Sequence, residues 1–449
     1  MTSNLKSILL LSFCIFFIAL PIQTGSIIQI IIVNSVNDDY RETWNGYEWS
    51  GYTGSAISSV VAAVLAWFAP SLIMLVGAGK ALTIGGIAFC LSFSTFLYPL
   101  KYGYICASLL LGFANAVTWT AQGNYLAMVS DEKSITRNTG ILWTISMSSA
   151  VFGNLLIVYT FEGKEKINSS TRILTYSILV ILGFFGVILS LFLKKFESSK
   201  SEDDKIVESP LKGFSTAIKY FTTKTMLLIS VIAIFIGLEI TFFSGLYSTS
   251  IAFTRAFGVD RKKYSGECGL LIGIGEILAG LISMLSSKCK KPGIAILISA
   301  YLIYLGTFSC IYVNLPAAST LLETAEPAIF ESNLYLALLC AVLLGLCDGL
   351  FGTQMNEFIS VVYKENSSAP FAIFSSLQSL SGGALFFLSN YIDLHSHLII
   401  LATGATLGSI AFCLANAAEN KKKLEKTNME HHGNIEPNNV QKVLEMPSN

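Results

Sequence analysis

The stretch ILLLSFCIFFIALPIQTGSIIQIIIV, residues 8–33, carries no charge and exceeds the roughly 20 residues that an α-helix needs to cross a bilayer core of about 30 Å. It is also too long for the apolar core of a cleavable leader, about 7 to 15 residues, so it reads as a first transmembrane helix. Outward from it the same pattern recurs. Charge clusters and turn residues divide the chain into apolar spans at 8–33, 52–76, 81–99, 104–128, 141–161, 173–193, 225–248, 267–286, 294–313, 333–362, 369–392 and 397–416. This predicts an all-α integral membrane protein of twelve transmembrane helices. The third span is the shortest and the tenth the longest, and tilt absorbs such differences.

Composition agrees. Charged residues make up 13% of the 449, against about 25% in a soluble domain, and the mean hydropathy is +0.62. A formal net charge of zero gives no attraction to nucleic acid. Most of the nine cysteines, Cys14, Cys90 and Cys340 among them, lie inside apolar runs and behave as small hydrophobes. No disulfide, zinc or cofactor spacing emerges, so no metal and no cofactor is expected. Gly77-Ala78-Gly79-Lys80 lacks the phosphate-loop pattern, and no Ser/His/Asp or Cys/His set is identifiable. Enzymatic activity is not expected.

Twelve spans put both chain ends on one side of the bilayer. That side would carry 20 of the 29 Lys and Arg residues, and the positive-inside rule then makes both termini cytosolic. Arg255, Arg261, Lys262 and Lys263 form a contrary basic cluster on the outer side. Asn168-Ser169-Ser170 would face outward and could accept a glycan, whereas Asn366-Ser367-Ser368 would face the cytosol. Whether the bilayer is plasma membrane or endomembrane is not encoded.

Polar segments divide the chain into a bundle over 1–193, a cytosolic linker over 194–224, a second bundle over 225–416 and a disordered tail over 417–449. Within the linker, Leu211, Phe214, Ile218 and Phe221 recur at helical spacing, which fits either an interfacial helix or a solvated connection. An internal repeat supports two six-helix halves. Leu110-Leu111-Gly112 aligns with Leu343-Leu344-Gly345, Asn115 with Asp348 and Thr120 with Thr353; after a shift of one residue, Gln122 aligns with Gln354 and Asn124 with Asn356. Parallel repeats of six helices are the pattern of the major facilitator fold.

An ionisable side chain at bilayer depth costs a few kcal/mol, roughly 2.5–3.5 on insertion scales, and marks a functional candidate. Glu239, Glu276 and Asp348 are such residues, with no Lys or Arg at their depth, and all lie in the second half. Each is a candidate for proton or cation coupling. A protonated carboxyl bonded to a neighbouring helix is the plainer alternative, strongest for Glu276 because Gly273, Gly275 and Gly280 around it imply close packing. Neutral candidates for lining a cavity are Gln23, Thr24, Gln29, Asn115, Thr118, Gln122, Gln354 and Asn356, with polar contacts between helices as the competing role. Trp119 and Trp143 read as packing.

Several motifs carry a family resemblance over nearly the whole chain. They are Gln23-Thr24-Gly25, Trp119-Thr120-Ala121-Gln122-Gly123-Asn124, and Ser130-Asp131-Glu132 leading to Arg137-Asn138-Thr139-Gly140. The second half adds Gly237-Leu238-Glu239-Ile240-Thr241-Phe242-Phe243-Ser244-Gly245, Gly273-Ile274-Gly275-Glu276-Ile277-Leu278 and Ala369-Pro370-Phe371-Ala372-Ile373-Phe374. In combination the sequence resembles the uncoordinated-93-like family of the major facilitator superfamily. That resemblance implies a major facilitator fold with an undefined transported substrate, in a family that includes regulators of a potassium channel complex and a receptor chaperone.

One departure from the superfamily stands out. The loop between the second and third spans offers Pro70, Ser71, Gly77, Gly79 and Lys80 without an acid, and Ser287-Lys288-Cys289-Lys290-Lys291 lacks the Asp of its counterpart. Asp131, Glu132 and Arg137 are candidates for a replacement cytosolic latch. Two functional readings remain open: a secondary transporter of a small solute or ion, coupled through Glu239 and Asp348, and a non-transporting partner that regulates or traffics another membrane protein.

Overall fold

The computed structural model describes residues 3–130, 135–194, 219–286, 293–363 and 368–433. These are helical almost throughout, with one isolated bridge between Thr254 and Thr324. The first part comprises α1 (Ser3–Tyr40), α2 (Gly51–Leu65), α3 (Ala69–Val76), α4 (Ala78–Ser94), α5 (Gly103–Val129), α6 (Ile135–Phe161) and α7 (Ser169–Ser190). The second comprises α8 (Lys224–Phe253), α9 (Arg261–Ser286), α10 (Gly293–Asn314), α11 (Leu334–Val362), α12 (Ser368–Leu388) and α13 (Leu394–Gly433).

Polar residues just outside the apolar runs start the helices. Ser50, Asn168, Thr223 and Asn333 each accept a bond from a backbone N–H three residues on, satisfying a donor that the first helical turn leaves free. Among the described residues, ten helices are long and apolar enough to cross a membrane, which makes the chain a multi-pass membrane protein.

Two expected spans differ in shape. The span 52–76 is not one straight helix: α2 and α3 meet at a bend of 65°, where Pro70 in the first turn of α3 lacks the N–H needed to continue the ladder. Gly77, at φ +85°, then separates α3 from α4, a conformation that a residue with a Cβ adopts only with strain. The span 81–99 forms the 17-residue helix Ala78–Ser94, short by the measure of its neighbours.

The chain end differs too. The tail expected from residue 417 begins inside α13, which runs to Gly433. There Lys422 pairs with Glu419 at 2.6 Å, and Thr225 donates to the same carboxylate at 2.8 Å. Those ties hold a polar helical extension against the start of α8. Residues 434–449, the linker over 195–218 with its Leu211 to Ile218 pattern, and Asn366 lie outside the described residues.

The start of α1 and the ends of α5 and α7 meet around Ser7, Tyr125 and Lys194. In the second part, Tyr220 packs on Tyr363. These contacts define a terminal end of the bundle, and the opposite loop end holds the connections around residues 41–50, 162–168, 254–260, 315–333 and 389–393. The two parts join chiefly where α6 packs on α9, α2 on α12 and α1 on α8. Gly266 and Gly273 of α9 lie against Ile157 and Ala150 of α6, and Gly383 of α12 lies against the Ala56 carbonyl of α2. Without side chains at these glycines, the helices approach to backbone contact.

Candidate functional site

Glu239 is wholly buried in α8, and its backbone carbonyl sits where the α-helix gives way to a π-helical turn, Phe242–Tyr247. Such turns recur at functional positions because they re-aim the side chains beside them. Four residues before Glu239, Phe235 packs against Tyr304 of α10 and Phe351 of α11, with ring centroids 5.4–5.7 Å apart in the three pairs. Asp348 stands three residues before Phe351. Because α8 and α11 run in opposite directions, helical periodicity sets Glu239 and Asp348 together, one turn from the aromatic triangle towards the loop end.

Glu276 joins them from α9, where Gly349 lies against its backbone. Asp348, Tyr304 and Glu276 all act electrostatically on the Glu239 carboxyl, and the Tyr304 hydroxyl approaches it. Neither carboxyl oxygen of Glu239 nor the Tyr304 hydroxyl makes a hydrogen bond of normal geometry. Asp348 and Glu276 are half-buried. The close packing expected around Glu276 is present at Gly273, which abuts Ala150, and at Gly275, which abuts the Val342 carbonyl; Gly280 has nothing against it. Among the described residues, no set of His, Cys, Asp or Glu is grouped to hold a metal.

The neutral candidates do not converge in the same way. Gln23 donates to the Met147 sulfur at 3.4 Å, and Thr24 fills the space that Gly153 leaves on α6. Gln29 donates to the Tyr104 hydroxyl at 2.5 Å and lines a cavity of about 10 Å³, the lower limit for one water. Asn115 is satisfied within its own helix, donating to the Leu111 carbonyl and accepting from Trp119. Thr118 packs on Gly85, Gln122 is buried with one oxygen unpartnered, Gln354 lies beside Gly293, and Asn356 is half-buried. Asp131 and Glu132 lie outside the described residues, as does the side chain of Arg137. Asn168 is exposed at the loop end, its oxygen capping α7.

A second constellation went unread in the sequence. At the loop end Arg261 is nearly wholly buried and donates to Glu323 at 2.9 Å and to Glu165 at 3.5 Å, so it ties its own part of the chain to the other. Lys262 pairs with Glu323 at 2.9 Å, Lys263 pairs with Glu162 at 3.0 Å, and the Gly163 N–H donates to Asp260 at 2.8 Å. Ser50 donates to Asn390, and Tyr52 to the Thr320 carbonyl, across the same junction. Three members of the contrary basic cluster, Arg261, Lys262 and Lys263, are therefore matched by acids. Burial alone would push the Glu323 carboxyl up, but hydrogen bonds from Lys262 and Arg261, with their charge, bring it below the ordinary value.

Arg172, expected at a span end, is also enclosed. It pairs with Asp39 at 2.6 Å and joins α7 to α1. The available signal was the presence of Asp38 and Asp39 beyond an otherwise apolar run.

The profile described as "Ion channel regulatory protein UNC-93" matches residues 46–413. UNC93-like protein MFSD11 of Xenopus laevis is 30% identical over 429 residues, 91% of this chain and 95% of that protein. UNC93-like protein 3 of Arabidopsis thaliana is 26% identical, covering 74% of this chain and 71% of that one, and human Protein unc-93 homolog A is 23% identical, covering 72% and 76%. Among solved structures, the nucleoside transporter NupG superposes with a TM-score of 0.61 at 13% identity, covering 92% of this chain and all of its own. A POT family transporter in complex with 5-aminolevulinic acid superposes at 0.65 and 12% identity, covering 91% and 96%. These likenesses give the fold, that of helical transporters, and the profile and sequence relatives give the lineage: the chain belongs to the UNC-93 family.

Proposed function

We propose that the protein is a secondary transporter of a small solute, built as twelve transmembrane helices in two six-helix halves, with both termini cytosolic. The bent pair α2–α3 is counted as one crossing and Ala78–Ser94 as another. The halves span 1–193 and 225–416, joined by 194–224. The observation that carries this reading is the convergence of Glu239, Asp348 and Glu276 from three helices in the second half, with no cation among them. Three acids at bilayer depth are costly and mark ion pathways and proton relays, which supports coupling of solute movement to a proton or cation.

Uptake by protein reconstituted in liposomes, across a panel of small solutes and an imposed proton or sodium gradient, tests the assignment. Glu239→Gln and Asp348→Asn are expected to lower gradient-driven uptake at least tenfold while the protein still reconstitutes. Absence of flux for the whole panel in the wild type would defeat the transport reading.

A second reading has its own support. The family carries the description of an ion channel regulator, and the loops after α3 and α9 lack the acids of the usual gating signature. On that reading the protein binds and regulates or traffics another membrane protein. Asp131, Glu132 and Arg137 would then serve a contact surface rather than a latch. Proximity labelling in the native cell distinguishes a stable partner from none, and loss of a glycan in Asn168→Gln tests the outward face of the α7 start.

A further inference from the structure

Glu239 and Asp348 differ in one respect that their shared position makes consequential. Glu239 is wholly enclosed, whereas Asp348 keeps partial access to its surroundings. The titratable groups acting on the Glu239 carboxyl are Asp348 and Cys347 on α11, Tyr304 on α10 and Glu276 on α9. All are neutral when protonated and negative when ionised, so none of them can balance a carboxylate. Carboxyls this close in an apolar setting do not all ionise together. They share protons.

We propose that Asp348 and Glu239 form a two-station proton relay, with Asp348 as the port, Glu239 as the enclosed store and Tyr304 as the hydroxyl that supports Glu239 while it is ionised. In the loading step the O–H bond on Asp348 breaks and one forms on Glu239; the negative charge moves from Glu239 to Asp348, and the charge of the pair is unchanged. No charge has to be created inside the enclosure. The Tyr304 hydroxyl, wholly buried and without a hydrogen bond of normal geometry, is the independent mark of this arrangement. A buried hydroxyl without a partner carries an uncompensated desolvation cost. Donation to an ionised Glu239 relieves that cost in one state of the relay. Tyr304 is thus a positioning residue, and Phe235 and Phe351 fix its ring through the packing described above.

The relay deepens the coupling assignment by naming the proton as the ion, yet its test needs no solute. Protein in lipid nanodiscs is treated with dicyclohexylcarbodiimide, which reacts with protonated carboxyls in apolar surroundings, and labelling at Glu239 is mapped by mass spectrometry from pH 5 to 9. Labelling should rise as pH falls. Asp348→Asn removes a neighbouring negative charge and should move the midpoint to lower pH, whereas Tyr304→Phe removes a donor to the anion and should move it to higher pH, each by about one unit. A purely structural role for either residue would not give shifts of opposite sign.

Labelling of Glu239 that ignores pH overturns the proposal using the wild type alone, so it does not depend on whether the variants fold. Asp348→Glu, which keeps the port, should retain a midpoint close to wild type. Protection of Glu239 by sodium or potassium at constant pH would make this a cation site and likewise overturn the relay. Absence of solute flux, by contrast, would sink the transport reading and leave the labelling result standing.

Discussion

Helices α5 and α11 occupy corresponding places in the repeat, and they treat the same position differently. Gly112 of α5 lies against the Ser58 carbonyl of α2, and Gly345 of α11 lies against the Ile272 carbonyl of α9. Three residues on, α5 carries Asn115, which closes its hydrogen bonds inside its own helix, while α11 carries Asp348 beside two other acids. The backbone contact is common to both, so it belongs to the scaffold. The charge is on one side only, and in the proposed mechanism that asymmetry separates a supporting half from a working one.

Exchanging the polar residues should break the comparison most strongly. Asn115→Asp replaces the amide that donates to the Leu111 carbonyl with a carboxyl. The expected loss is roughly 2.5–3.5 kcal/mol if the group enters charged. Asp348→Asn removes repulsion among the acids and should leave thermal stability equal or higher. Melting in detergent, followed by size-exclusion chromatography, compares the two. Equal losses in both variants would mean that the acid cluster is an ordinary structural feature.

Glycine substitution probes what the helices share. An added Cβ at Gly112 or Gly345 meets a carbonyl oxygen on the facing helix, and neither backbone can retreat without opening the helix pair. Gly112→Ala and Gly345→Ala should each cost roughly 1–3 kcal/mol, the range for overpacking a close contact. Gly123, with nothing against it, supplies the control. A large difference between the first two would argue against equivalent places in a repeat.

Much of this was legible in the chain because hydrocarbon imposes one rule, that backbone polar groups be satisfied within the span. The run at 8–33, the motif around Glu239 and the glycines near Glu276 all signal their roles through local spacing. What stayed hidden depends on partners distant in sequence. Tyr304 looks like any aromatic residue in an apolar helix until α10 sets it beside Glu239. The bend at Pro70 was open to inference from proline chemistry, but hydropathy averaged over 52–76 conceals it. Arg261, Lys262 and Lys263 read as an exception to the charge rule because Glu162, Glu165 and Glu323 lie far off in the sequence. The neutral residues scatter for a related reason: a buried Thr or Asn reads the same whether it faces a cavity or a neighbouring glycine.

The smallest effect belongs to the loop-end ion pairs, which contrast with the acid cluster in setting base against acid. Lys263→Gln should cost only about 0–1 kcal/mol, since Glu162 is exposed. Glu323 is more enclosed and contributes through Arg261 and Lys262. Its carboxyl is held below the ordinary value in the folded protein, so its stabilisation is fully present above the unfolded value, about 4.3 for a glutamate, and is lost as pH falls through the lowered one. The melting difference between wild type and Glu323→Gln should therefore stay level from pH 8 to about 5.5 and shrink only below about pH 4. If the difference disappeared between pH 7 and 5.5, mild acid would be unlocking the loop end by some other group. His397, bonded to Ser389 at that same end, would be the first to examine.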